Sequence, residues 1–242
     1  SAASINNGIS YISPESQHKL LNEWELYQQS KASVLKFVPA SGAASRMFKD
    51  LFSFLEKDED NPSTEFEKKF FHEIENFAFY DDLNEACVKN EGKTIPELIA
   101  SGRYKDVVSD LLNSNGLSYG SLPKGLLKFH SYPAEKRTPL QEHLVEGALY
   151  AKTDGKVNIH FTVSTEHRAL FEKHVAESLP PYEKSFGVQF LVSFSEQKPS
   201  TDKIAADSNN QPFRDDGQLV FRPGGNDALI EKLKNLDADV IF

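Results

Sequence analysis

The stretch KVNIHFTVSTEHRALFEKHVAESL, Lys156–Leu179, decides the fold. Val157, Ile159, Phe161 and Val163 fall at every second position, the period of a strand. From Thr165 the spacing becomes helical, and FGVQFLVSFS, Phe186–Ser195, is a second apolar strand. Two apolar strands joined by a helix form a parallel pair, because the crossover returns the chain to the starting edge of the sheet.

Working outward, the same alternation recurs. SVLKFVPA, Ser33–Ala40, is a short apolar strand, and TPLQEHLVEGALYA, Thr138–Ala151, is a helix. GLLKFHSY, Gly125–Tyr132, is predicted as a strand, QPFRDDGQLVF as a hairpin turning at Asp-Asp-Gly, GNDALIEKLKNL as a helix and ADVIF as a strand. Pro14–Ser30 is an amphipathic helix with Leu20, Leu21, Trp24 and Tyr27 on one side. Ser45–Lys57 is a helix carrying Met47, Phe48, Leu51, Phe52 and Leu55, and Thr64 to about Phe79 is another. Shorter helices follow to Asn113. The expected fold is α/β, a mostly parallel Rossmann-like sheet flanked by helices. It forms one domain over residues 1–242, with a helical insertion at 52–117. The chain is expected to be a fragment, because ADVIF reads as a buried strand that has only begun.

Composition narrows the chemistry. A net charge of −9 over 242 residues argues against a nonspecific nucleic-acid binder, which needs a basic face. No apolar run approaches the ~20 residues of a membrane span, and SAASINNGIS lacks the order of a signal peptide. Cys87 is the one cysteine, so no intrachain disulfide can form and a cytoplasmic location is expected. His167 and His174 stand seven apart, too far for the usual zinc pair, and no G-x-S-x-G elbow is present.

Three stretches carry the candidate chemistry. In KFVPASGAASRMFKD, Lys36–Asp50, a strand runs into Ser41, Gly42, Ala43, Ala44 and Ser45, small residues that let backbone N–H groups approach a phosphate. Arg46 follows as a bidentate cation. In LPKGLLKFH, Lys124 supplies a point charge beside Gly125. In FRPGGNDALIEKL, Pro223, Gly224 and Gly225 form a sharp bend, and Asn226 or Asp227 is placed to cap the helix that follows. Each is equally read as an ordinary turn or helix cap when taken alone.

In their order along the chain, ASGAASRMF, LPKGLLKF, HFTVSTEHRALFEKH, VSFSEQKPS and RPGGNDALI resemble the UDP-N-acetylhexosamine pyrophosphorylase family. The whole chain also looks like an uncharacterised bacterial domain-of-unknown-function family related to it. The resemblance covers about Val34–Arg46 and Leu122 onward, and Met47–Ser121 has no close counterpart. It implies a glycosyltransferase-A-like core and transfer of a nucleotidyl group from a nucleoside triphosphate, UTP by preference, to a sugar 1-phosphate with Mg²⁺. Gly42 and Arg46 match the family's Gly-x-Gly-Thr-Arg loop, with Ala44 for its second glycine and Ser45 for its threonine. Lys124 matches a phosphate-contacting lysine, Gln197 a glutamine that reads uracil, and Gly225–Asn226 a pair that lies against base and sugar. Asp227 and Ala228 replace two glycines. The family's metal-binding aspartate follows the strand that ADVIF begins, and so is expected to be missing from this chain. The alternatives are a non-catalytic nucleotide or sugar-phosphate binding module, or a hydrolase or kinase acting on phosphorylated sugars.

Overall fold

The computed structural model describes residues 2–196, 199–222, 229–230 and 233–242. The chain runs through helix α1 (Pro14–Gln28), strand β1 (Val34–Pro39) and a 3-10 turn at Ser45–Phe48. Five helices come next: α2 (Lys49–Glu56), α3 (Glu65–His72), α4 (Tyr80–Glu91), α5 (Ile95–Ala100) and α6 (Tyr104–Leu112). The remainder is α7 (Pro139–Tyr150), β2 (Lys152–Thr153), β3 (Lys156–Val163), α8 (Arg168–Phe186), β4 (Gln189–Glu196) and β5 (Val240–Ile241).

β3 is the centre of a five-stranded sheet. β4 pairs parallel along its whole length, from Lys156↔Gln189 to Val163↔Glu196. β1 pairs parallel on the other edge with Phe37 opposite His160, and β5 continues that side in parallel with Val240 opposite Val34. β2 folds back antiparallel onto the start of β3 through Asp154 (φ 47°) and Gly155 (φ 70°). Two successive positive φ values match the twist of a tight hairpin.

The fold is therefore α/β, but the sheet is mixed rather than the mostly parallel Rossmann-like one expected. β2 turns back onto it, and the remaining strands among the described residues are two-residue pairs outside it: Ser4–Ile5 with Gly8–Ile9, His130–Ser131 with Lys136–Arg137, Lys203–Ile204 with Phe221–Arg222, and the Arg214–Asp215 hairpin with Gln218–Leu219. The expected strand at Gly125–Tyr132 is instead a 3-10 turn, Lys124–Leu126, with only His130–Ser131 paired. The physical reason lies in burial: Leu126 packs on one core and Leu127 is buried in another, which a regular strand beside the sheet would not allow.

Those two cores organise the molecule. One gathers Leu51, Phe54, Leu83, Leu98, Leu111 and their neighbours from α2–α6. The other lies under the sheet, where Val38, Val157, Ile159, Phe161 and Val163 meet Leu140 and Leu144 of α7 and Phe171 and Val175 of α8. Gly147 lets α7 sit close, since a Cβ there would fall 2.9 Å from Val157. α8 runs through Pro180 and Pro181 and ends at Gly187 in the left-handed region. Burial of Tyr182 in the sheet core offsets the lost backbone bonds.

Two further expectations change. α1 buries no residue fully; Leu20 and Leu21 are exposed, and only Trp24 and its neighbours dock, with the indole N–H donating to the Tyr150 carbonyl at 3.0 Å. The helix expected from Ser45 begins as a 3-10 turn and becomes α-helical at Lys49. Among the described residues, no helix is long and apolar enough to cross a membrane.

Candidate functional site

β1 leaves the sheet where the Ala40 N–H donates to the Thr162 carbonyl at 2.8 Å. Ala40 belongs to the sheet core and Ala44 to the helical core, so Ser41–Ala43 span the seam between them. The second candidate stretch is laced to this span. The Lys124 N–H donates to the Gly42 carbonyl at 3.1 Å, the Ala44 N–H donates to the Leu122 carbonyl at 3.3 Å, and Ala43 bridges Pro123. Segments about eighty residues apart thus meet at the carboxyl ends of parallel strands, the usual ligand position in α/β sheets.

The individual residues sort clearly. Gly42 and Lys124 line a cavity of about 180 Å³ floored by Val38, Leu140, Phe161 and Phe171. A side chain at Gly42 would meet open space, so the backbone there is approachable. Gly125 is different: a Cβ would fall 3.0 Å from the Phe171 ring, so this glycine serves packing. Ala44 is fully buried, Ser41 is half-buried, and Ala43, Ser45 and Arg46 are exposed beside the cavity but do not line it. Neither Arg46 nor Lys124 forms an ion pair among the described residues, so both cations remain available to an anion. The helix dipole is less favourably placed than expected, because α2 starts beyond the loop. Gln197, Gly225 and Asn226 lie outside the described residues.

The structure adds a group that the sequence reading missed. His143 lines the same cavity, and its Nδ1 lies 3.3 Å from Oε2 of Glu146. Behind them Lys36, only 4% exposed in the middle of β1, donates to Glu146 and to the Tyr150 hydroxyl. Burial raises the Glu146 carboxyl, but the hydrogen bond and charge of Lys36 outweigh it and hold the group below its ordinary value. Burial lowers His143, the Lys36 charge adds to this, and together they exceed the pull of Glu146. The imidazole is therefore neutral at pH 7, with Nδ1–H given to the carboxylate. Two signals in the sequence could have found this group. One is a lysine inside the apolar run VLKFVP; the other is His143, Glu146 and Tyr150 at spacings that share one helix face.

A family model described as Domain of unknown function (DUF4301) matches residues 1–242. The chain belongs to the DUF4301 family. No curated protein and no solved structure matches it. The resemblance of this DUF4301 chain to the pyrophosphorylases thus rests on its short motifs alone.

The DUF4301 chain ends β4 with Glu196, whose two oxygens accept from Thr165 at 2.9 Å and from Arg168 at 3.0 Å. No group of three or more His, Cys, Asp or Glu side chains suited to a metal forms among the described residues. On the opposite face His160 is flanked by Ser193 at 2.8 Å and Ser195 at 2.9 Å, and its ring stacks on Phe37. His167 starts α8 and bonds Ser164 at 2.8 Å, while His174 bonds Thr138 at 2.8 Å. Each of these histidines already has a structural partner.

Proposed function

We propose that this DUF4301 chain is a nucleotidyltransferase that moves a nucleotidyl group from a nucleoside triphosphate, UTP foremost, to a sugar 1-phosphate and releases pyrophosphate. The observation that carries the reading is the lacing of Gly42 to Lys124 at the carboxyl ends of parallel strands, with open space above Gly42. A phosphate oxygen of the sugar 1-phosphate attacks the α-phosphorus, and the bond to pyrophosphate breaks with its electron pair. The nucleophile is already anionic, so no proton has to move. Lys124 and Arg46 then neutralise charge on the phosphates, and the loop positions them. Mg²⁺, when bound, would add neutralising charge at the phosphates beside Lys124 and Arg46, and it needs few protein carboxylates.

A second reading is favoured by one observation, that no group of three or more metal-ligating side chains forms among the described residues: a binding module for nucleotides or sugar phosphates without turnover. Pyrophosphate release in the presence of Mg²⁺, UTP and N-acetylglucosamine 1-phosphate separates the two. Release that depends on Arg46 and Lys124, each replaced by Ala, is the expected outcome. Thermal stabilisation by UTP without release would support the binding module, and linkage sets its size at about 2.7 kcal/mol for a hundredfold excess over Kd. If neither occurs, both readings fail.

A further inference from the structure

Resting on the phosphate reading of this cavity, we infer that His143, held by Glu146, accepts a hydrogen bond from a hydroxyl of the ligand whose phosphate lies at Gly42 and Lys124, so the cavity selects phosphorylated sugars over bare phosphate.

Of the residues lining the cavity, only Lys124 and His143 titrate; the rest are apolar or glycine. Lys124 suits an anion and cannot accept a hydrogen bond. His143 supplies the complementary function. Its Nδ1 is committed to Glu146, which leaves Nε2 as the acceptor, with no hydrogen-bond partner among the described residues. The ring also packs edge-on against Phe161, with centroids 6.5 Å apart, so its plane is set by packing as well as by the carboxylate. A floor of Val38, Leu140, Phe161 and Phe171 suits the apolar face of a sugar ring, and about 180 Å³ admits one such ring rather than a larger group. The charged groups that bear on His143 are Glu142 and Glu146 from α7 and Lys36 from β1, and Lys124 shares the cavity lining. Burial first and the Lys36 charge next outweigh the two carboxylates and tip the ring to the neutral acceptor form.

Calorimetric titration with N-acetylglucosamine 1-phosphate and with inorganic phosphate tests this on the full chain. At pH 8 the sugar phosphate is expected to bind about tenfold more tightly, one good hydrogen bond's worth. His143→Ala abolishes that margin and leaves phosphate affinity in place. The ¹⁵N signal of His143 Nε2 moves on adding the sugar phosphate and not on adding phosphate, a readout that needs no variant to fold. A margin that survives His143→Ala, or an Nε2 signal indifferent to the sugar, overturns the inference while leaving the phosphate site standing. Failure of both probes to bind, or phosphate binding indifferent to Lys124→Ala, overturns the phosphate reading and this inference with it.

Discussion

Gly42 and Gly125 look alike in the sequence, each beside a candidate cation, yet the fold uses them differently. At Gly125 an added methyl would press on Phe171, which is fully buried and cannot yield. Gly125→Ala is expected to destabilise the protein by about 1–3 kcal/mol, read from the urea midpoint. Gly42→Ala meets open space and is expected to stay within about 0.5 kcal/mol of the unaltered chain. If the two behave alike, the packing account of Gly125 is wrong. Lys36 invites a second test. It is a buried cation against a half-exposed Glu146, and its charge helps keep His143 neutral. Lys36→Met should therefore raise the pKa of His143, checked by NMR titration of the ring. A fall, or no change, would remove Lys36 from the electrostatics of the cavity. Stability should change little, since apolar replacements of buried ions are often neutral when the partner can regain water.

Helix α3 shows how local chemistry sets a boundary. Thr64 caps it, and Glu67 at the third position returns a bond to the Thr64 N–H at 3.0 Å. Glu67 is almost fully buried, which by itself raises its pKa. The hydrogen bonds from Lys57 and the backbone N–H groups of Thr64 and Ser63 outweigh this and lower it to about 2. A depressed carboxyl contributes stability that is complete above the unfolded value of about 4.5 and lost as pH falls towards 2. The contribution is on the order of 3 kcal/mol. Glu67→Gln keeps the cap but cannot titrate, so its stability should lack that acid slope between pH 4.5 and 2; an unchanged slope assigns the acid sensitivity elsewhere. Capping boxes form in the same way at Thr94 with Glu97 and at Thr138 with Gln141. The 3-10 start at Ser45 was not legible. It arises because Ala44 is drawn into the helical core and tied to Leu122.

The two cores are joined directly through the Ala40–Ala44 and Leu126–Leu127 connections. Ion pairs from Lys128 to Asp82 and Lys136 to Asp81 add to the join, but exposed pairs of this kind contribute under about 1 kcal/mol each. Coupling therefore rests on the buried seam, where the candidate loop also lies. Leu111→Ala, in the helical core, should cost about 2–5 kcal/mol. Trp24 docks on the sheet side through Tyr150 and Phe242. Its fluorescence should nonetheless report the shifted midpoint if the cores unfold together. A Trp24 transition that stays put would show that the helical core melts alone. Cys87, buried among the helices with its thiol pushed up to about 12 by desolvation first and Asp110 next, gives an independent probe. It should resist maleimide at pH 8 until that core opens.

Apolar periodicity determined the α/β class, the strands at β1, β3 and β4 and the helices α7 and α8, because period 2 and period 3.6 burial are local properties. The Asp-Asp-Gly hairpin was equally legible, since residues tolerant of positive φ mark such turns, and Asp216 and Gly217 both adopt it. Tertiary structure alone decided which segments pair and what each glycine faces. It folded β2 back to make the sheet mixed, carried α8 through two prolines to bury Tyr182, and brought Gly42 against Lys124. It also placed His143, Glu146 and Lys36 beside them from a helix and a strand far apart in the chain. Contacts between distant segments depend on where each element's buried face can be covered, and a sequence read one window at a time does not contain that.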